Sequence, residues 1–277
     1  MPSASVVELI VLGSGSPFAS PRRVSSGYIL RSELTPPLLI DAGGGTFERL
    51  GRSGIAAVGL DPMLLTHMHI DHSAGLAAII NSAFMEGRTD PVTIVGPAGR
   101  DDQPGIAEFC ELLFGKQGAW RFLRTFDGFD VRPIEAPSDP KQPTTTTVLE
   151  RAGISVRSVA VPHGMMPSVA YRIELAGRAI VVSGDVQSEY QPLVSLATGC
   201  DVLIYPLAVP EREVEQSHLF TKPSAVGRIA RDCGCELLVL THVFPLLDTE
   251  LEAALAHVRG AYEGRMIVAE DLMRIAI

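Results

Sequence analysis

The chain alternates short apolar runs with segments of helical periodicity. β-rich runs such as "PLLIDAG", "RAIVVSGD" and "CELLVLTH" end near Gly, Asp, His or Pro, which predicts strands that stop at polar residues. Helices are predicted at residues 46–51, 75–85, 105–114, 188–196, 222–233 and 249–262. This mixture predicts a layered domain with strands in the core and helices outside.

Two segments bear on domain organisation. Residues 135–150, "EAPSDPKQPTTTTVLE", are rich in Pro and Thr, which predicts an exposed loop. The composition shows no linker, so we expect a single domain over residues 1–277.

The densest polar segment is "THMHIDH", residues 66–72. His67 and His69 are two positions apart and would project from the same face of an extended segment. Asp71 and His72 follow where the chain turns towards the helix predicted near residue 75. Packing does not require this density of imidazole, and imidazole and carboxylate are metal ligands. The segment therefore predicts a metal site at a strand end.

Further ligand candidates close other apolar runs. They are His163 in "VAVPHG", Asp185 in "AIVVSGD" and His242 in "LLVLTH". With the first segment they make five histidines and two aspartates, more than one tetrahedral zinc needs. The set suits two metals that share a bridging carboxylate.

These residues carry a resemblance. "HMHIDH" with the three later ligands resembles the HxHxDH signature of the metallo-β-lactamase superfamily. "LGSGSP", "SSGYIL", "LLIDAGGG" and "SHLFTK" are similar to its branch of tRNase Z, arylsulfatase-like and phosphodiesterase-like hydrolases. The resemblance implies an α+β fold, a four-layer αββα sandwich known as the metallo-β-lactamase fold, with metals at one edge of two packed sheets.

The resemblance also implies a role for each ligand. One metal would be bound by His67, His69 and His163, the other by Asp71, His72 and His242, with Asp185 between them. Two divalent ions are implied, zinc by default, although manganese or iron suits the same ligands. The reaction implied is hydrolysis by a metal-bridging hydroxide that Asp71 orients, which makes Asp71 catalytic as well as a ligand.

The leaving group needs a proton donor or a charge stabiliser. In tRNase Z-like proteins a histidine of an HxT or HxS motif pairs with a glutamate at the end of a preceding strand. His218 in "SHLF" is the corresponding candidate, but Tyr205 and Pro206 stand where a His-Glu pair is expected. The alternatives left open are Tyr205 itself or a loop glutamate: Glu211, Glu213 or Glu215.

The prediction of the substrate rests on features that are absent from the sequence. Only 21 residues separate His163 from Asp185, too few for the extended arm with which long-armed tRNase Z enzymes grip tRNA. A net charge of −9 also repels a phosphate backbone. We therefore expect a small anionic ester, either a phosphodiester or an aryl sulfate. The alternatives are a tRNA 3′-end endonuclease and a non-catalytic metal-binding module.

Composition constrains the cellular setting. No apolar run approaches the length of a membrane span, and the chain starts without a basic secretory segment. Four cysteines are too few for a disulfide framework. We expect a cytoplasmic protein with reduced thiols and no membrane contact. A homodimer is expected from the family resemblance alone.

Overall fold

The protein is described by a computed structural model that covers residues 6–277. Its strands form two seven-stranded sheets, in the orders β14-β1-β2-β3-β4-β5-β6 and β13-β12-β11-β10-β9-β8-β7. The strands are β1 (Glu8–Gly13), β2 (Gly27–Arg31), β3 (Leu38–Ile40), β4 (Met63–Leu64), β5 (Val92–Pro97), β6 (Val131–Ala136), β7 (Thr146–Arg151), β8 (Ile154–Ala160), β9 (Val169–Leu175), β10 (Arg178–Val182), β11 (Val202–Pro206), β12 (Leu237–Thr241), β13 (Arg265–Val268) and β14 (Arg274–Ala276).

Helices cover the outer faces of both sheets. They are α1 (Thr46–Ser53), α2 (Ile70–Ser73), α3 (Leu76–Met85), α4 (Ile106–Phe114), α5 (Gln191–Ala197), α6 (Pro223–Cys233) and α7 (Leu251–Arg259). Residues of α1, α3 and α4 share a core with the first sheet, and residues of α5, α6 and α7 share one with the second. A further core lies between the sheets. The four layers αββα confirm the predicted fold.

Strands with two buried faces explain the continuous apolar runs of the sequence. In β1, Leu9 and Val11 belong to the core between the sheets, whereas Ile10 and Leu12 belong to the core under the helices. Alternate side chains of a strand point to opposite faces, so a strand covered on both sides is apolar at every position.

The predicted loop at residues 135–150 is wrong at both ends. β6 extends through Ala136 and β7 begins at Thr146, which leaves residues 137–145 as the connection. β6 pairs in parallel with β5, and β7 pairs antiparallel with β8. The Thr and Val residues near the end of the segment are β-branched and favour a strand once a partner lies beside them. Composition alone does not reveal that partner.

Two expectations from composition concern the buried thiols and the membrane. All four cysteines are buried free thiols. Among the helices within residues 6–277, none has both the length and the apolar content that a membrane span requires.

Candidate metal centre

The predicted ligands meet where strands of both sheets end. His67 and His69 follow β4 of the first sheet, and Asp71 and His72 lie on the short helix α2. In the second sheet His163, Asp185 and His242 follow β8, β10 and β12. β10, β11 and β12 are parallel, so their carboxyl ends share one edge. All seven predicted side chains are brought together there.

The first cluster consists of three imidazoles. His69 Nδ1 lies 3.0 Å from His67 Nε2 and 3.3 Å from His163 Nε2. Two nitrogens bound to one tetrahedral zinc at its usual bond length are roughly 3.4 Å apart. The spacing of these three nitrogens therefore fits a shared ion.

The second cluster contains a carboxylate and two imidazoles. Asp71 Oδ2 lies 3.1 Å from His242 Nε2 and 3.5 Å from His72 Nε2. All three side chains are buried. This spacing also fits three ligands of one ion.

Asp185 lies between the two clusters. Its Oδ2 is 4.0 Å from His67 Nε2 and 3.7 Å from His163 Nε2 on one side. On the other side the same oxygen is 3.6 Å from His72 Nε2 and 3.4 Å from His242 Nε2. One carboxylate oxygen is thus within reach of ligands from both clusters.

Asp41 is hydrogen-bonded to His72 of the cluster and to Thr66, and is a site residue that the sequence pattern did not predict. Its carboxylate accepts a hydrogen bond from His72 Nδ1 at 2.8 Å and from the Thr66 backbone N–H at 2.8 Å. The Thr66 hydroxyl also donates to it and lies 3.1 Å from His67 Nδ1. Asp41 fixes the ring of His72 so that Nε2 faces the cluster. The feature of the sequence that could have indicated Asp41 is its position at the end of the apolar run "LLID".

The glycines after Asp41 allow the backbone to approach α2. A Cβ on Gly43 would stand 2.1 Å from the carbonyl oxygen of Asp71, so only glycine fits there. The N–H of Ala42 donates to the carbonyl of His72 at 2.7 Å. "DAGGG" therefore positions the helix that carries two of the predicted ligands.

Three of the imidazoles are held neutral. Burial lowers the pKa of His67 well below its ordinary value and lowers that of His163 to about 4. Burial also lowers the pKa of the partly exposed His69. Neutral imidazoles have a free lone pair near neutral pH, the form that binds a metal.

The carboxylates are held ionised. Burial opposes the charge of Asp185, but the imidazoles of His242 and His72 hold its pKa well below the ordinary value. The pKa of Asp71 is lowered in the same way against burial, first by its hydrogen bond with His242. Burial also opposes the charge of His72, but Asp185 and Asp41 raise its pKa. The cluster is a compact set of mutually compensating charges.

The donor set fits divalent metals. Within the described residues, His72 Nε2 and Asp185 Oδ1 are buried and have no hydrogen-bond partner, which is costly for polar atoms unless something else engages them. The ligand atoms form three groups of three, each within 4.8 Å of one another. Imidazole and carboxylate suit zinc first, and manganese or iron as well.

A cavity of about 350 Å³ opens beside the centre. Its inner end is lined by His69, Asp71, His163 and Asp185, and Gln216 adds a further polar group. The rest of its wall is apolar and consists of Pro17, Phe18, Ile70, Leu219, Phe220 and Phe244.

Aromatic rings connect this wall to the ligands. The ring centroid of Phe220 lies 5.8 Å from His163 and 5.4 Å from His242. Phe244 lies 5.1 Å from Phe220, and Phe18 lies 5.1 Å from Phe244. A continuous aromatic surface therefore extends from the ligands to the mouth of the cavity.

His218 is placed at the edge of this region. It is exposed at the end of the 3₁₀ turn Glu215–His218, and its Nδ1–H donates to the Glu215 carbonyl at 2.7 Å. Gln216 and Leu219 line the cavity, whereas His218 does not. Its role in catalysis therefore stays a prediction.

Tyr205 is placed away from the cavity. The side chain is fully buried, and its hydroxyl lies 2.8 Å from Thr221 Oγ1. Thr221 Oγ1 in turn donates to the carbonyl of Val186. Tyr205 therefore joins β11 to the segment before α6.

The first two loop glutamates hold the start of α6. The carboxylate of Glu211 accepts hydrogen bonds from the N–H of Ser224 at 2.9 Å and from its hydroxyl at 2.7 Å. Glu213 forms an ion pair with Lys222. Both glutamates are therefore bonded to residues around the start of α6 and not to His218.

Comparison with known proteins places the chain in a family. The beta-lactamase superfamily domain matches residues 38–243. The chain belongs to the beta-lactamase superfamily. Membership confirms the resemblance, the metallo-β-lactamase fold and the predicted enzyme class, a metallo-hydrolase of ester bonds.

Relatives and solved structures match along nearly the whole length of the chain. The chain is 28% identical to a protein named Ribonuclease Z from Mycobacterium bovis over 290 residues, which cover 98% of this chain and 99% of the relative. The metallo-β-lactamase fold protein YhfI of Bacillus subtilis superposes with a TM-score of 0.76 at 20% identity, covering 98% of this chain and 100% of its own. The short form of human tRNase Z superposes with a TM-score of 0.72 at 22% identity, covering 97% and 98%.

Proposed function

We propose that the protein is a dinuclear metal-dependent hydrolase of small anionic esters, either phosphodiesters or aryl sulfates. The position of Asp185 carries the proposal, because its Oδ2 lies within 4.0 Å of imidazole nitrogens from both clusters. A carboxylate shared in this way is the arrangement that a two-metal site requires.

In this proposal the ligands divide as the family resemblance implies. One ion would be held by His67, His69 and His163, the other by Asp71, His72 and His242, with Asp185 contacting both. When bound, two divalent ions acidify a water molecule and neutralise the charge of an anionic ester. Zinc is the default, and manganese or iron suits the same donors.

The chain's own groups orient the reactants. Asp71 is ionised, since its pKa is lowered, and lines the cavity, so it can accept a hydrogen bond from the attacking water and orient it. Asp41 keeps the ring of His72 in place. His218 is the candidate proton donor to the leaving group, since Gln216 and Leu219, its near neighbours in the sequence, line the cavity.

The cavity supports a small substrate. Within the described part of the chain, no Lys or Arg lines it, whereas gripping a polynucleotide requires several cations on phosphates. Between His163 and Asp185 the chain forms only the hairpin of β9 and β10, with no arm that reaches a distant part of a substrate.

A second candidate, tRNA 3′-end cleavage, rests on the relatives. Similarity over 98% of the chain to proteins named Ribonuclease Z favours it, and short-armed enzymes need not carry the extended insertion. It predicts RNA affinity that falls steeply with salt, because each phosphate contact releases counterions.

Metal content and turnover, measured on one sample, test the proposal. Elemental analysis is followed by assays with a bis-aryl phosphodiester, an aryl sulfate and a pre-tRNA, with Asp71→Ala as the inactive control. About two metals per chain with hydrolysis of a small ester and no RNA cleavage would support the proposal. Efficient RNA cleavage would favour the second candidate, and bound metal without any turnover would favour a non-catalytic metal-binding module. Light scattering on the same sample tests the expected homodimer.

A further inference from the structure

We propose that the cavity beside the ligands binds a flat aromatic group carried by the substrate, so that the enzyme selects aryl esters over alkyl esters. The inference rests on the proposed function, since it assigns a substituent to the same anionic ester. It concerns the apolar part of the cavity, which has no role in holding the metal ions.

The cavity has two chemically different ends. Its inner end presents His69, Asp71, His163 and Asp185, the side chains that fit a metal centre. The remainder presents carbon, apart from Gln216. A molecule that complements both ends has an anionic head and an apolar body attached directly to it. A methyl ester is too small to cover the apolar wall, and a sugar phosphate would place hydroxyl groups against it.

The arrangement of rings favours a flat body over a branched one. Phe220 and Phe244 meet edge to face at 78°, and Phe18 and Phe244 at 69°. Rings arranged in this way offer further edges and faces to an inserted ring, and such pairs add to the gain from burial alone.

The volume sets the size of the group. An apolar cavity of roughly 150 Å³ accommodates benzene, and the cavity here measures about 350 Å³. One ring, or two fused rings, therefore fits beside the anionic head. A nucleic acid would have most of its length outside.

Exposed apolar residues at the mouth point to the same conclusion. Phe18 is 46% exposed and Ile70, between two ligands, is 80% exposed. A bound ring would cover apolar surface that now faces water, which is favourable in proportion to the area covered. Phe122 serves as the control for substitution of Phe18, because it is 53% exposed and does not line the cavity.

Binding of two anions that cannot be hydrolysed tests the inference. Calorimetric titration of the metal-loaded protein compares phenylphosphonate with methylphosphonate, which share the head and differ in the body. We expect the wild type to bind phenylphosphonate at least about tenfold more tightly, or about 1.4 kcal/mol. Phe18→Ala should reduce this preference to about threefold or less, while Phe122→Ala should keep it. Equal affinities in the wild type, or a preference that Phe18→Ala leaves unchanged, would overturn the inference.

Turnover separates this inference from the proposed function. Hydrolysis of phenyl and methyl phosphodiesters with equal kcat/KM, together with equal phosphonate affinities, would reject the aryl cavity and keep the hydrolase. A Phe18-dependent preference for phenylphosphonate without hydrolysis of any ester would keep the cavity and reject the phosphodiesterase. Thermal unfolding of both variants checks that neither has lost its fold.

Discussion

The seven-residue ligand cluster and the segment from β11 to α6, residues 205–222, both contribute to the wall of the cavity and are built differently. The ligands follow strand ends of a buried sandwich, and all but His69 are buried. In the segment, His218 is exposed on a 3₁₀ turn and bonds only to the backbone of its own turn. The ligand cluster is fixed by the fold, whereas His218 is held by a single hydrogen bond within its own turn.

This difference separates the reaction class from the choice of leaving group. Every ligand position is constrained by its neighbours, as the hydrogen bonds of Asp41 to His72 and Thr66 show. Nothing comparable constrains His218. Substitutions in the cluster should therefore affect metal binding and all substrates, and substitutions in the segment should affect some substrates only.

The largest effect is expected for Asp185→Ala. Removal of the carboxylate that lies between both clusters should lower the metal content of the purified protein, so that it no longer retains both ions. Turnover should fall at least about a thousandfold, since several kcal/mol of charge stabilisation depend on the ions. Elemental analysis and steady-state rates are the measurements, with the exposed Asp232→Ala as control. Retention of both ions would contradict the bridging role.

The same contrast shows how much the sequence revealed. The convergence of the seven candidate ligands was predictable, because they follow apolar runs that read as strands and the strand ends at one edge of a sheet lie close together. Asp41 closes such a run as well, but its partner His72 lies 31 residues away, and no local pattern marks that contact. The path of residues 207–222 depends on which groups hold the loop, such as Glu211 on Ser224. β6 and β7 were missed for a similar reason, because their pairing partners stabilise them.

Asp41→Asn should weaken metal binding without removing it. The variant cannot supply the charge that orients His72, and loss of such a contact typically costs 10- to 100-fold in metal affinity. Asparagine tolerates the positive φ of 54° at this position, so the backbone is preserved. Competition with a chelator measures the affinity. Asp201→Asn is the matched control, because Asp201 accepts from a backbone N–H and an arginine away from the site. If Asp41→Asn and Asp201→Asn bind the metal with equal affinity, Asp41 does not support the metal centre.

His218→Ala should discriminate between substrates. If His218 donates a proton, the rate with a poor leaving group should fall about 100-fold, whereas a leaving group that departs unprotonated should be unaffected. His257→Ala, on the exposed face of α7, is the control. Unchanged hydrolysis of the ester with the poor leaving group would remove His218 from the mechanism and leave the ligand cluster as the sole catalytic part of the site.

The smallest effect on turnover is expected for Glu211→Gln. This variant tests the alternative, left open by the sequence, that a loop glutamate assists His218. Burial opposes ionisation of Glu211, but hydrogen bonds from Ser224 lower its pKa. The charged form lies at the N-terminus of α6, where a carboxylate is favourable, so the variant should lose about 1 kcal/mol of unfolding free energy and no activity.

The pH dependence of that difference follows from the sign of the shift. A lowered pKa means that the stabilisation is present above the ordinary value of 4.5 and is lost as the pH falls through the lowered one. Urea titrations near neutral pH and in acid should therefore show the variant and the wild type converging in acid. Glu213→Gln, which removes an exposed ion pair with Lys222, should change neither stability nor rate measurably. Loss of turnover in Glu211→Gln at unchanged stability would instead make Glu211 the partner that His218 otherwise lacks.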